Sequence, residues 1–209
     1  RIFKLLDTAP TLVQTANANG APVSNAEFGS VEFESVCFAY QGEDWVLQDV
    51  SFRVNPGETV AIVGATGSGK TSIANLVTRL YEFQKGRVTV DGLDVRHWDP
   101  QLLRRRVGMI SQDVFLFSGQ IADNLRLDDD SLSNAVLERA AARVGLSRLV
   151  EGDGDSLTRR VGERGSGLSV GEKQLVAFAR AVAFDPGILI LDEATSSVDH
   201  RTEEQIQTA

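Results

Sequence analysis

Residues Gly64-Ala65-Thr66-Gly67-Ser68-Gly69-Lys70-Thr71 fit the spacing G-x-x-x-x-G-K-[ST]. Those residue types suit one task, the holding of a polyphosphate. Glycines let the backbone reach positive φ and come close to a ligand, so that successive N–H groups and a helix N-terminus can surround phosphate oxygens. Lys70 would reach the β- and γ-phosphates, and the Thr71 hydroxyl would ligate Mg2+. A second candidate is Asp192-Glu193, which closes the apolar run Ile188-Leu189-Ile190-Leu191. In open α/β sheets ligands sit beyond the carboxyl ends of strands, where a Mg2+-ordering aspartate and a water-activating glutamate belong. A third is Ser169-Val170-Gly171-Glu172, whose S-x-x-E spacing is a helix capping box. Taken alone it also fits a well-capped structural helix. An exposed helix N-terminus carrying serine and glycine is also an anion site able to hold a γ-phosphate.

These groups need elements to position them. Thr59-Val60-Ala61-Ile62-Val63 reads as a buried strand handing over to the glycine-rich loop, and Pro56-Gly57 as the turn before it. The loop leads into a helix from Lys70 to about Tyr81, with Ile73, Leu76, Val77 and Leu80 at i, i+3, i+4, i+7. Val31 to Phe38 and Val46 to Val54 alternate as half-buried strands would; Cys37 keeps phase with Val31, Phe33 and Ser35 and is expected in the core. Val88-Thr89-Val90 and Gly108 to Ser111 are further strands, the latter ending just before Gln112. Asp99-Pro100 reads as an N-cap with proline at the first helical position. From Gly119 to Leu149 the pattern is helical: Ser133 is a cap, Val136, Leu137, Ala140, Ala141 and Val144 share one face, and Gly145 is a stop. The run Gly187 to Leu191 suits a parallel strand covered on both faces.

The 209 residues suffice for one α/β domain with a core, and the formal net charge of −8 opposes nonspecific binding to nucleic acid. No apolar run approaches the length of a membrane span. The single cysteine excludes an intramolecular disulfide. His97 and His200 read as surface histidines, and Arg104-Arg105-Arg106 as a solvated helix face. Thr8 to Ala26 has linker composition, so the folded domain is expected from about residue 27. The absence of an initial methionine and the helix-like Glu203 to Gln207 suggest a piece of a longer protein.

The phosphate loop, Gln112, Leu168 to Gln174, Asp192-Glu193 and Ser196-Ser197-Val198-Asp199 occur in the order and spacing of ATP-binding cassette (ABC) ATPases. The chain resembles that family over essentially everything after residue 27. Within it, Arg1 to Asp7 and Val161-Gly162-Glu163-Arg164-Gly165 resemble segments of the nucleotide-binding domain of an exporter. The resemblance implies an α/β fold: a P-loop NTPase core with a mainly parallel sheet, an N-terminal antiparallel β-subdomain, and an inserted α-helical subdomain over about 113–184. Residues 1–26 would be the linker from a transmembrane domain and 27–209 the ATPase domain, cut short before its switch histidine. The implied function is an ATP-hydrolysing motor at the cytoplasmic face of a membrane, with ATP and Mg2+ bound.

The resemblance also implies roles. Tyr40 stacks on adenine, with Val46 beside the nucleotide; Lys70 and Gly64 to Ser72 hold the phosphates; Thr71, Gln112 and Asp192 order Mg2+; Glu193 polarises the attacking water. Gln112 and Lys70 join Glu193 in the catalytic set. Ser169, Val170, Gly171 and Glu172 would contact the nucleotide of a second nucleotide-binding domain, Asp199 would sit at that interface, and coupling helices of a transmembrane domain would be the other partner. Val170 stands where the family usually has glycine, and Glu172-Lys173 where Gln-Arg is common. His200 follows Asp199 directly and is not the switch histidine. Two alternatives are a hydrolysis-deficient half of a heterodimeric transporter, which Val170 favours and Glu193 opposes, and a soluble ABC ATPase.

Overall fold

The computed structural model describes residues 28–146 and 156–192, in two compact units that divide in sequence between Arg106 and Val107. The first unit is built on an antiparallel sheet of order β2-β1-β3-β4, from β1 (Val31–Ala39), β2 (Trp45–Val54), β3 (Lys85–Val90) and β4 (Leu93–Asp94). Alternating apolar residues bring β1 and β2 together: Val31 faces Val54, and Phe33 faces Phe52 with the rings stacked 4.6 Å apart. The alternation does not run through β1 unbroken. Ser35 takes a φ of 47° and the register shifts between Phe33 and Val36, the mark of a bulge. One extra residue reverses the phase, so Val36 and Phe38 are buried while Cys37 is only half-buried, its thiol accepting the Asp49 N–H. The expected core place of Cys37 is thereby corrected.

The expected strand Thr59–Val63 does not form. No described strand pairs with it, and its apolar side chains lack a covering layer: Val60, Ile62 and Val63 are exposed, Val63 at 92%. The helix after the loop, α1 (Lys70–Val77), is also shorter than its periodicity suggests. Arg79 turns to a φ of 50°, its guanidinium bonded to Glu82 and to the Trp98 carbonyl. That local pairing overrides the helical pattern, burying Leu76 and Val77 but leaving Leu80 exposed. Further on, α2 (Pro100–Arg106) starts as expected, the Asp99 carboxylate accepting the N–H groups of Gln101 and Leu102.

In the second unit β5 (Val107–Ile110) and β8 (Ile188–Leu191) pair in parallel, Val107 opposite Ile188 and Ile110 opposite Leu191. Between them in sequence come β6 (Gly119–Gln120), α3 (Ile121–Arg126), α4 (Asn134–Arg143), β7 (Arg160–Val161) and α5 (Val170–Phe184). One core joins Ile121 and Leu125 of α3, Leu137, Ala140 and Ala141 of α4, and Leu175, Val176 and Ala179 of α5, together with Ile110 and Leu116. Each large aliphatic side chain so buried contributes about 1.5–3 kcal/mol. Ser133 stands at the α4 N-cap, although its hydroxyl makes no capping bond, and Gly145 follows the helix at a φ of 73°. β8 is not covered on both faces: Leu189 and Leu191, two residues apart and so on one face, are about half exposed, and its sole described strand neighbour is β5. The result is a mixed α/β fold with antiparallel strands first, then helices and a parallel pair.

The β1 bulge yields a test. Gly86 of β3 has a φ of 85°, and a Cβ there would run into the backbone carbonyls of Glu34 and Ser35. Gly86→Ala is expected to destabilise the domain by at least about 2 kcal/mol, from left-handed strain plus the collision. Urea denaturation measures it; an unchanged midpoint would show that the bulge does not need the glycine.

Candidate nucleotide-binding site

The glycine-rich loop folds on itself before α1. The Ser68 N–H bonds the Ala65 carbonyl at 3.1 Å, closing a turn at whose tip Gly67 takes a φ of 82°. Lys70 reaches back from the first helical position, its Nζ donating to the carbonyls of Gly64 at 2.9 Å and Ala65 at 3.0 Å. Two glycines permit this closure. A Cβ on Gly64 would lie 2.5 Å from the Ser68 hydroxyl, and Gly69, at a φ of 90°, would drive one to 2.7 Å from Leu47 of β2. Thr66 and Thr71 are exposed.

Gly69 caps α1 without any side-chain hydrogen bond, and the first internal bond runs from the Ile73 N–H to the Gly69 carbonyl at 3.0 Å. The amides of Lys70, Thr71 and Ser72 therefore have no partner inside the helix and face the loop with the positive end of the helix dipole. A cradle that a Cβ would fill, a cation and free helix amides fit a polyphosphate. Val46 lies at the foot of this loop, its carbonyl 3.4 Å from where a Gly69 Cβ would stand.

Tyr40, just past the end of β1, is 45% exposed and meets Phe38 and Tyr81 edge-on, ring centres 4.7 and 4.9 Å away. Its hydroxyl shares a 2.9 Å hydrogen bond with the Ser72 hydroxyl. An exposed aromatic is thus latched to the helix that carries the phosphate loop. The sequence places both residues in the binding set, but 32 residues apart, with no sign that they touch.

The second unit gathers two other groups. Exposed Gln112 follows the end of β5, and Asp192 follows β8, its N–H bonded to the Ile110 carbonyl at 2.9 Å. An amide and a carboxylate thus share the carboxyl end of the parallel pair. Nearby, Asn124 bonds both the N–H and the carbonyl of Phe117, and the Phe115–Phe117 ring pair is exposed. The F-x-F spacing was a signal for that surface, though sequence reasoning passed over it. Among the described residues no three His, Cys, Asp or Glu side chains cluster to hold a metal. Mg2+ commonly binds through one or two protein groups plus substrate phosphates, so one carboxylate with Gln112 or one hydroxyl suits it.

Ser169 caps α5 as the spacing implies. Its hydroxyl accepts the Glu172 N–H at 3.3 Å while the Glu172 carboxylate accepts the Ser169 N–H at 2.5 Å. Arg159 also reaches Glu172, Nη1 to Oε1 at 3.3 Å, and donates from Nη2 to the Gly167 carbonyl at 3.1 Å. Burial raises the Glu172 pKa, but the Ser169 hydrogen bonds and Arg159 outweigh it and hold the carboxyl below its ordinary value. Its contribution to stability is therefore present above about pH 4.3 and fades as pH falls through the folded-state value. The Val170 side chain is 58% exposed, and a Cβ on Gly171 would meet open space. Sequence reasoning missed Arg159, which lies outside α5, 13 residues from its partner. Glu193, Asp199, His200 and residues 1–26 lie outside the described residues.

A family model described as ABC transporter matches residues 47–196. Over 209 residues the chain is 46% identical to the probable multidrug resistance ABC transporter ATP-binding/permease protein YheH of Bacillus subtilis, covering all of this chain and 30% of that protein. Over 181 residues it is 46% identical to the fatty acid ABC transporter ATP-binding/permease protein of Mycobacterium bovis, covering 87% of this chain and 29% of that one. A solved bacterial Atm1-family ABC exporter with ATP bound matches at a TM-score of 0.89 and 39% identity, over 99% of this chain and 36% of that chain. The chain spans about a third of the length of these relatives. Likeness of this degree along the whole chain places it in the ABC transporter family: it is an exporter-type nucleotide-binding domain, an ATPase of the phosphate-loop class.

Proposed function

We propose that this domain binds Mg-ATP and, by ATP-gated pairing with a second nucleotide-binding domain, powers export through an attached transmembrane domain. The observation that carries the reading is the closed phosphate loop, with the Lys70 ammonium held by the Gly64 and Ala65 carbonyls at the uncapped start of α1. Phosphate oxygens would replace those carbonyls in charge-assisted bonds to Lys70 and draw on the amides of Gly64 to Ser72. Tyr40 and Val46 would flank the base. Mg2+, when bound, neutralises phosphate charge; Thr71, Gln112 and Asp192 are its proposed partners. Glu193 is the proposed base for the attacking water.

Ser169, Val170, Gly171 and Glu172 would meet the γ-phosphate held by the other domain, with Asp199 at the same interface. The open space at Gly171 and the exposure of Val170 support access to that helix end. No helix among the described residues is long and apolar enough to cross a membrane, and the relatives join an ATP-binding part to a permease. We therefore read residues 1–26 as a linker and 27–209 as the ATPase domain, with helices over 113–184 forming a subdomain. It would work at the cytoplasmic membrane face, coupled to helices of the permease.

Calorimetry with Mg-ATP tests the nucleotide site. Lys70→Ala is expected to abolish tight binding. Tyr40→Ala is expected to weaken it about tenfold, as loss of an aromatic platform does, while Tyr40→Phe stays within about threefold. Equal losses for Phe and Ala would mean that the Ser72 latch, not the ring, is what ATP needs; unchanged binding in Lys70→Ala would contradict the phosphate-loop assignment.

The trans reading has its own test. Gly171→Asp puts an anion into open space in the first turn of α5, where the helix dipole favours it by about 0.3–1 kcal/mol. Folding stability should hold or rise while ATP-driven pairing and turnover fall by a factor of about 100 or more, since like charges then meet. Normal turnover in this variant would remove α5 from the phosphate site.

A further inference from the structure

We propose that Arg159 is a positioning residue for ATP turnover: by pairing with Glu172 and holding the Gly167 carbonyl, it cancels a negative charge at the α5 N-terminus. This rests on the reading above, in which that helix end meets the γ-phosphate of a facing subunit. Glu172 lies in the first turn of α5, and one of its oxygens occupies the Ser169 N–H. A capping carboxylate there favours the helix through the dipole, yet the same charge repels an incoming phosphate. Capping needs only an acceptor at this position, which glutamine supplies as well as glutamate. The charge is thus the one feature of Glu172 that works against a phosphate, and Arg159 is built against it. Its Nη1 meets the Glu172 oxygen that Ser169 does not use, and its Nη2 fixes the turn at Gly167, which has a φ of 91°. The two-pronged reach suits a guanidinium and not an ammonium. Half-burial of both side chains keeps the pair partly shielded from solvent.

The test uses the assembled, ATP-hydrolysing protein and a charge-swap cycle. Arg159→Met keeps the apolar stem and drops the cation; it should raise the KM for ATP about tenfold with kcat changed less than about threefold, a loss that eases with added salt. Glu172→Gln keeps the capping box without the charge. In the Arg159→Met/Glu172→Gln double variant KM should return to within about twofold of Glu172→Gln alone. Arg159→Lys, which retains the charge but can reach only one of the two acceptors, guards against a folding defect and should give a KM between those of wild type and Arg159→Met. A purely structural role predicts instead that the double variant is as impaired as Arg159→Met and insensitive to salt; either result, or an unchanged KM in Arg159→Met, overturns the proposal. Gly171→Asp separates the two failures. If it abolishes turnover while the cycle shows no rescue, only the role of Arg159 falls; if it leaves turnover intact, the trans reading falls and this proposal with it.

Discussion

The bonds from Lys70 Nζ to the carbonyls of Gly64 and Ala65 are the constraint on which the nucleotide site depends. They hold a cation at the centre of a ring of backbone, so the loop is shaped before any phosphate arrives. Little then has to be reorganised on binding, because an ammonium exchanges two neutral acceptors for charged ones, which bond about twice as strongly. The rest of the first unit serves that geometry. Gly64 and Gly69 admit the close approaches, Leu47 of β2 packs where a Gly69 side chain would be, and the Tyr40 hydroxyl ties the platform after β1 to Ser72.

The second unit solves a different problem with related physics. The N-terminus of α5 leaves backbone donors without partners inside the helix, and Ser169 and Glu172 bond reciprocally across it. A glutamate in that box brings charge to a helix end proposed to meet phosphate, and Arg159 pairs with it. Val170 turns its branched side chain outward. At the ends of β5 and β8 the parallel register, with Ile110 opposite Leu191, leaves Gln112 and Asp192 at the same carboxyl end of the pair.

Local rules carried far into this chain wherever backbone geometry is dictated by neighbours in sequence. The phosphate loop, the Asp99-Pro100 helix start, the Ser169–Glu172 box and the apolar stripe of α4 could all be read from residue type and spacing. Features set by distant partners could not. The Ser35 bulge reversed the phase of β1 and displaced Cys37, since it depends on the fit of Gly86 across the sheet. Arg79 ended α1 early through bonds to Glu82 and Trp98. Thr59–Val63 and β8 read as buried because their composition is apolar, yet burial requires a covering layer that composition does not supply. The Arg159–Glu172 pair obeys no spacing rule, as it joins a strand approach to a helix cap.

Amide hydrogen exchange over residues 64–72, with and without Mg-ATP, tests most directly the claim that this loop and the first turn of α1 form a preshaped phosphate cradle. The account predicts that Mg-ATP strongly slows exchange at the free amides of Lys70, Thr71 and Ser72 and at the loop amides before them, with little change in the interior of the β1–β3 sheet. Unchanged exchange at those amides under saturating Mg-ATP would contradict it.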